Sequence, residues 1–406
     1  MSNLQMQTKR RLIQILLMVF VTGIIAGCAL VEINDTDIAV HTETPSPTAT
    51  PSPTNTRPPQ STASPTPTFK PTPTVPLLAE TDMRLLSGLL YGIDDTIWTI
   101  DDEGNSQQLY DCFASRNVSS DLRYALFVEE WNLWLMDHQS CTSRNLTNTS
   151  GDEEEFEGGA MWWPGRTDTV LMGVYGAPYS FGSPSTLNIR SGEISVLSEE
   201  ISSGPSFSPN GRKFAFSGFP DKPLVYDMNS GVNQLEIPRG QLPGEIERIA
   251  SPAWSHDGTR IAWIAGIEGD DSLKGWNISL IIIELESTNA SILHSYLPLG
   301  VDGWPLAAEW SPDDKWLALY ALAENPKERG IWLIPADGGP GRKLPIVSSG
   351  LMFWSPNSDY LLINSLKREP DDEPGVFSEE VWFLRIDTWE IQRIDQLSGA
   401  SIIDWR

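Results

Sequence analysis

The chain has little of what most catalytic and metal chemistry draws on: four histidines and three cysteines stand in 406 residues. His41 lies in a Pro/Thr/Ser tract, His138 and His256 fall in turns of different repeat units, and His294 falls on an outer strand. Each reads as a solvated surface residue, so no metal site and no cofactor are expected. Basic residues are scarce as well. Lys and Arg number 28 against 54 Asp and Glu, for a net charge of −26. Such a surface repels phosphate backbones, so no nucleic-acid partner is expected. A serine hydrolase domain after the repeats would need a G-x-S-x-G elbow with an acid and a histidine downstream. No residues follow Arg406 to build one, so no catalytic residue is assigned and the chain is expected not to be an enzyme. The acidic runs Asp101-Asp102-Glu103 and Asp152-Glu153-Glu154-Glu155 lack the alternating ligand spacing of a calcium loop and read as solvated charge.

The apolar run Leu12 to Ile25 follows Lys9, Arg10 and Arg11 and is shorter than the roughly 20 residues a membrane-spanning helix needs. That is the layout of a secretory signal peptide. It ends in Ile25-Ala26-Gly27-Cys28, which resembles the bacterial lipobox, where small residues admit a signal peptidase and the cysteine carries diacylglycerol. The resemblance implies a signal peptide over 1–27, lipidation at Cys28 and a bacterial lipoprotein on the extracytoplasmic face of a membrane. The bilayer is then a partner through the acyl anchor only. Residues His41 to Pro76 are nearly all Pro, Thr and Ser, with too little apolar surface to offset the entropy of ordering. Residues 28–80 are expected to form a disordered stalk, its tract from His41 to Pro76 reaching on the order of 100 Å as polyproline II. Outside the cell Cys112 and Cys141 are free to oxidise, but the repeats set them toward opposite ends of adjacent units, which argues against a bond.

What the chain does have is a repeated phrase. "SFSPNGRKFAFSG" begins at Ser206, "AWSHDGTRIAWIAG" at Ala253, "EWSPDDKWLALYA" at Glu309 and "FWSPNSDYLLINS" at Phe353, with weaker copies at Asn117 and Met161. Aligned on Pro209 they recur at 44, 45, 47, 56 and 44 residues, the period of stacked blades. Each phrase leads through an Asn-Gly- or Asp-Gly-like turn, a step that tolerates positive φ. Further short apolar strands follow, as in "IWLIPADGG", giving four strands per unit. Residues 86 to 110 supply strands two to four of a unit lacking its first, and "GASIIDWR" supplies a first strand alone. The C-terminal strand is therefore expected to complete the first blade and close the ring. The fold expected over 81–406 is an all-β, seven-bladed β-propeller of four-stranded antiparallel sheets, or six-bladed if the weakest copy is an insertion. Trp254, Trp310, Trp354 and Trp405 hold equivalent places in their copies and read as blade-to-blade packing, not a sugar-stacking ring.

The W-S-P-D-G phrase, its apolar strand and the following I-W-x-x-D strand resemble the propeller repeats of the TolB type, relatives of WD-repeat propellers. In that family the periplasmic TolB protein binds a peptidoglycan-associated lipoprotein. TolB has six blades and a separate N-terminal domain, where this chain carries a lipid signal and a stalk. The longest insertions, at 148–160, 173–186, 237–251, 266–277 and 364–380, fall nearly all on one face of such a ring, where variable loops over a rigid frame carry binding residues. Tyr175, Tyr179, Phe181 and Trp276 are expected as interface anchors. Lys274, Lys367, Arg368, Glu153, Glu154 and Glu155 are expected to set charge complementarity. The function expected is a non-catalytic, membrane-tethered scaffold that binds a protein partner in the cell envelope. The alternative is a module that binds cell-wall or other polysaccharide, or a carbohydrate-active enzyme of the envelope.

Overall fold

The computed structural model describes residues 82–406 except 113–114, 130–131, 148–159, 175–182, 201, 219–221, 237–241, 243–244, 268–276, 288, 296–306, 322–329, 347–350 and 369–376. The expectations for residues 1–80, Cys28 among them, lie outside the described residues.

Seven four-stranded antiparallel sheets make up the described chain. Six run in sequence order from strand to strand. Blade 2 begins with Asn117–Val118, blade 3 with Ala160–Trp162, blade 4 with Ser202–Phe207, blade 5 with Ile246–Trp254, blade 6 with Ala307–Trp310 and blade 7 with Leu351–Trp354. The seventh sheet, blade 1, takes its first strand, Ser401–Trp405, from the other end of the sequence and pairs it with Leu89–Ile93. First strands of neighbouring blades touch, as do Ser202–Phe207 and Ile246–Trp254, so they line the axis of the ring. Antiparallel order then puts the turns between strands 1 and 2, and between 3 and 4, on one face. The 2–3 and 4–1 connections lie on the other.

The core consists of blade interfaces. Each adjacent pair of blades encloses its own apolar cluster, including Leu90, Ile97 and Ile403 with Val118 between blades 1 and 2, and Leu362, Val381 and Phe383 with Leu89 and Trp405 between blades 7 and 1. Seven interfaces for seven blades mean a closed ring, and the six-bladed alternative falls. A middle strand is covered on both faces, so it reads as a continuous apolar run and not as an alternation. Ile261, Ala262, Trp263, Ile264 and Ala265 are all fully buried. Trp254, Trp310, Trp354 and Trp405 are each less than a tenth exposed, and the indole Nε1 of Trp310 donates to Ala253 O of the preceding blade at 2.9 Å.

The repeated phrase has a specific mechanical use. In five blades the serine after the first strand donates its hydroxyl to an Asp or Asn two residues on: Ser119 to Asp121, Ser208 to Asn210, Ser255 to Asp257, Ser311 to Asp313 and Ser355 to Asn357, at 2.6–3.0 Å. The same oxygen accepts the N–H that opens the second strand, as from Trp316 to Ser311 at 3.0 Å. One buried hydroxyl thus closes each turn twice. The next position takes φ of 56° to 73° at Asp314, Gly211, Ser358 and Gly258, where glycine costs least; at Gly211 an added Cβ would also meet Pro164 O of the preceding blade at 2.8 Å. Ser311→Ala is expected to destabilise by about 1–3 kcal/mol, read as a shifted denaturant midpoint, because the Trp316 N–H loses a buried acceptor. A shift below the error of the midpoint would show the turn to be held by its backbone bonds alone.

Two expectations need correction. Cys112 and Cys141 form a disulfide, with Cα atoms 5.6 Å apart. A flat blade would hold them on opposite faces. Sheets twist from strand to strand, and the outer end of blade 1 meets the 3–4 turn of blade 2. The same twist covers His138, which is 2% exposed and not solvated. Its Nδ1 lies 2.7 Å from Leu122 O and its ring 5.0 Å from that of Tyr110 in blade 1.

Candidate functional site

Inner strands of different blades converge at the axis, so residues far apart in sequence meet at its mouth. On the face of the 2–3 and 4–1 connections, Arg116, just before the inner strand of blade 2, reaches across the closing strand into blade 7. Its Nε donates to Ile402 O at 3.1 Å, and its Nη2 donates to Asn364 Oδ1 at 3.1 Å and to Glu379 Oε1 at 3.5 Å. Asn364 Oδ1 also accepts the Ile402 N–H at 3.2 Å. Asn364 is buried and locks the closing strand and the arginine together. Blades 7, 1 and 2 are pinned at one point.

The electrostatics are those of a desolvated pair. Burial pulls the Arg116 pKa down, against the charge of Glu379. Burial also pushes the Glu379 pKa up, against the charge of Arg116 and weaker hydrogen bonds from Asn364 and Ser401. The Arg116 side chain remains 38% exposed, and its Nη1 has no acceptor among the described residues. That nitrogen is the group the mouth offers to a ligand carbonyl or carboxylate, while Glu379 offers a carboxylate to an amide or ammonium group. With one charge of each sign, the pair suits a polar chain or a zwitterion better than a bare ion.

Other inner strands contribute irregular backbone. Blades 4 and 5 carry matching register shifts, between Ser203 and Ser206 and between Ala250 and Ala253. Within them Gly204 has φ 50° and Ser251 φ 49°, each followed by a proline. Bulges of this kind re-aim backbone at barrel rims and binding sites. Glu309 sits on the inner strand of blade 6, where other copies place Ala253, Ser206 and Phe353. Protein surrounds its carboxyl although part of the residue meets solvent, and burial pushes its pKa up to about 7. No hydrogen bond reaches this carboxyl among the described residues.

Of the residues expected at the binding face, Tyr175, Tyr179, Phe181, Trp276, Lys274, Glu153, Glu154 and Glu155 lie outside the described residues. Lys367 and Arg368 end the strand Tyr360–Arg368 and pair with Ser378 and Phe377. Part of what reads as a loop over 364–380 is therefore paired strand. This hairpin also carries Asn364 and Glu379, neither of which the sequence reading singled out. Arg116 and Glu379 stand 263 residues apart and share no local signal. Glu309 did have one, a charge at a place where other copies carry Ala, Ser or Phe. The expected acidic cluster at 101–103 serves its own turn: Asp101 accepts from Asn105 N–H at 2.7 Å and Gln107 Nε2 at 2.7 Å. No group of three or more His, Cys, Asp or Glu side chains converges to hold a metal ion among the described residues.

The class this fold defines is a seven-bladed β-propeller. No family model matches the chain. Among characterised proteins it is 26% identical over 215 residues to dipeptidyl-peptidase 5 of Porphyromonas endodontalis, a match covering 50% of this chain and 28% of that protein. The chain thus spans less than a third of the relative's length. Similar solved structures include a putative TolB from Agrobacterium tumefaciens, at 16% identity and a TM-score of 0.40 over 64% of this chain and 87% of that one. Another is an oligogalacturonate lyase from Vibrio parahaemolyticus, at 14% identity and a TM-score of 0.47 over 70% and 85%. These likenesses concern fold. The expectation that the chain is not an enzyme is overturned by its kinship with a protein named as a peptidase. The physical reason is plain: lack of a nucleophile elbow excludes one chemistry, whereas a propeller assembles reactive groups from distant strands, and those leave no motif.

Proposed function

We propose that this chain is a membrane-tethered, extracytoplasmic lipoprotein of the bacterial envelope whose propeller binds a protein or peptide chain at the mouth of its axis, on the face of the 2–3 and 4–1 connections. The observation that carries the reading is the Arg116–Asn364–Glu379 cluster. A partly exposed guanidinium beside a desolvated carboxylate, on a rigid three-blade junction, is a preorganised pair for the alternating carbonyl and amide groups of a polypeptide. The stretch shared with a dipeptidyl-peptidase favours the same ligand class. The Cys112–Cys141 disulfide supports an oxidising compartment, and the Ala26-Gly27-Cys28 signal supports the anchor. Tyr179 and Trp276, outside the described residues, are kept as expected apolar anchors, and Lys367 and Arg368 lie on the same hairpin as Glu379.

The test is capture and crosslinking of envelope proteins by the mature lipidated chain, beside Arg116→Gln, Tyr179→Ala/Trp276→Ala and Cys28→Ser forms. A defined partner captured by the wild-type chain and lost from the first two, with the Cys28 form shifted to the soluble fraction, is the expected result. Retention of that partner by both binding-face variants would remove the mouth from the proposal. Absence of any protein partner, with binding on a cell-wall glycan array, would replace the peptide reading with a polysaccharide one.

A further inference from the structure

We propose that the rim groove between blades 2 and 3, away from the axis, binds an extended acidic segment of another protein by strand addition to Ile194–Val196, with a carboxylate of that segment seated between Arg144 and Arg190.

The first support is the edge itself. Asn188 N–H donates to Glu193 O at 2.9 Å and Leu197 N–H donates to Pro184 O at 2.8 Å, and Thr186 lies opposite Ser195 in the same register. Those are the hydrogen-bonded pairs. The pairs between them, Leu187 with Ile194 and Ser185 with Val196, are non-hydrogen-bonded, so the N–H and C=O of Ile194 and Val196 point off the sheet. Natural edges are usually guarded by charge, proline or a bulge. Here Ile194 is 44% and Val196 59% exposed, and both are among the few large apolar side chains on the described surface.

The second support is the cleft alongside. Leu187 packs against Leu126, Leu133 and Leu135 of blade 2, so its cross-strand neighbour Ile194, and Val196 with it, stand on the side facing blade 2. Leu135 in turn pairs with Arg144, which sets Arg144 facing blade 3. At the same seam, reached from the edge strand through the turn that precedes it, lies a cleft of about 160 Å³ that Asp137, Thr142, Arg144 and Arg190 help to line. Small-molecule pockets run from about 300 Å³ upward. This one holds a single side chain of something longer.

The third support is charge. Arg144 donates from Nη2 to Ile189 O, and neither Arg144 nor Arg190 meets a carboxylate among the described residues. The Asp137 carboxylate is already engaged, accepting from Gln139 N–H at 2.9 Å and Arg123 Nη2 at 3.4 Å. In a chain with 54 acidic and 28 basic residues, two arginines without acid partners at one cleft mark a site for an external carboxylate, which the guanidinium fork matches. A uronic-acid saccharide shares that carboxylate, but only a polypeptide also uses the outward N–H and C=O groups, as in other strand additions.

Fluorescence anisotropy tests this on the mature chain, with a fluorescein-labelled peptide alternating Thr and Val around one central Glu. The same peptide with Gln in place of Glu is the control. The Glu peptide is expected to bind at least about tenfold more tightly than the Gln peptide, and the preference should vanish in Arg144→Gln/Arg190→Gln. Val196→Pro removes one outward N–H and no bond within the blade, so it should abolish binding with an unchanged melting temperature. Val196→Lys serves as the second variant if proline lowers that temperature. Four results would each overturn the proposal: no binding of either peptide, equal binding of both, binding that survives both changes at 196, or displacement of the peptide by a polygalacturonate oligomer. Self-association of the wild-type chain that is lost in Val196→Pro would reassign the edge to a second copy.

Discussion

Replacing Glu309 by Gln is expected to stabilise the propeller at pH 8 by on the order of 3 kcal/mol and to change little at pH 4. The sign follows from which state holds the proton more tightly. Burial pushes the folded pKa to about 7 from 4.5, so between those values the folded chain binds more protons than the unfolded one. Its stability is therefore greatest at or below the lower value and falls as pH rises through the upper one. The cost is desolvation of a carboxylate that no donor among the described residues offsets. Glutamine cannot ionise, so the variant should lose this slope. Denaturant midpoints for both proteins at unit steps of pH would measure it. Parallel profiles would mean that water or an ion solvates the carboxylate at the axis.

Loss of the Cys112–Cys141 bridge is expected to cost about 3–4 kcal/mol. The bond closes a loop of 29 residues, and on the chain-entropy view that is the freedom it removes from the unfolded ensemble. Position adds to the effect. The bridge fastens blade 1 to blade 2, and blade 1 is the sheet assembled from both ends of the described chain. Arg406 strengthens the same seam by donating to Ser120 O at 2.7 Å, and within blade 1 Trp405 Nε1 fastens the closing strand by donating to Ser87 O at 3.0 Å. Cys112→Ser/Cys141→Ser should unfold at lower denaturant, and a reductant should bring the wild-type chain down to the same midpoint without moving the variant. A wild-type midpoint indifferent to reductant would show that the seam is held by strand pairing and these two residues alone.

The blades were legible because their information is local. The Ser hydroxyl, the Asp or Asn two residues on and the positive-φ position close a turn within six residues, and that constraint repeats wherever the turn does. Even the closing strand could be read, since "SIIDW" is an unpaired first strand and Leu89–Ile93 lacks one. Blade number, strand order and the burial of Trp254, Trp310, Trp354 and Trp405 all rest on such repetition. Departures from the repeat were informative too, with Glu309 the clearest.

Tertiary structure alone decided what lies between blades. Sheet twist carries Cys112 to Cys141 and buries His138, and no residue near either cysteine announces it. The ring brings Arg116 beside Glu379, and the register of Ile194–Val196 turns its N–H and C=O groups outward beside two arginines. Sequence determined each blade because hydrogen bonds and apolar periodicity act over a few residues. The sites depend on which blades become neighbours and on how far each is rotated, and that is settled only when the ring closes.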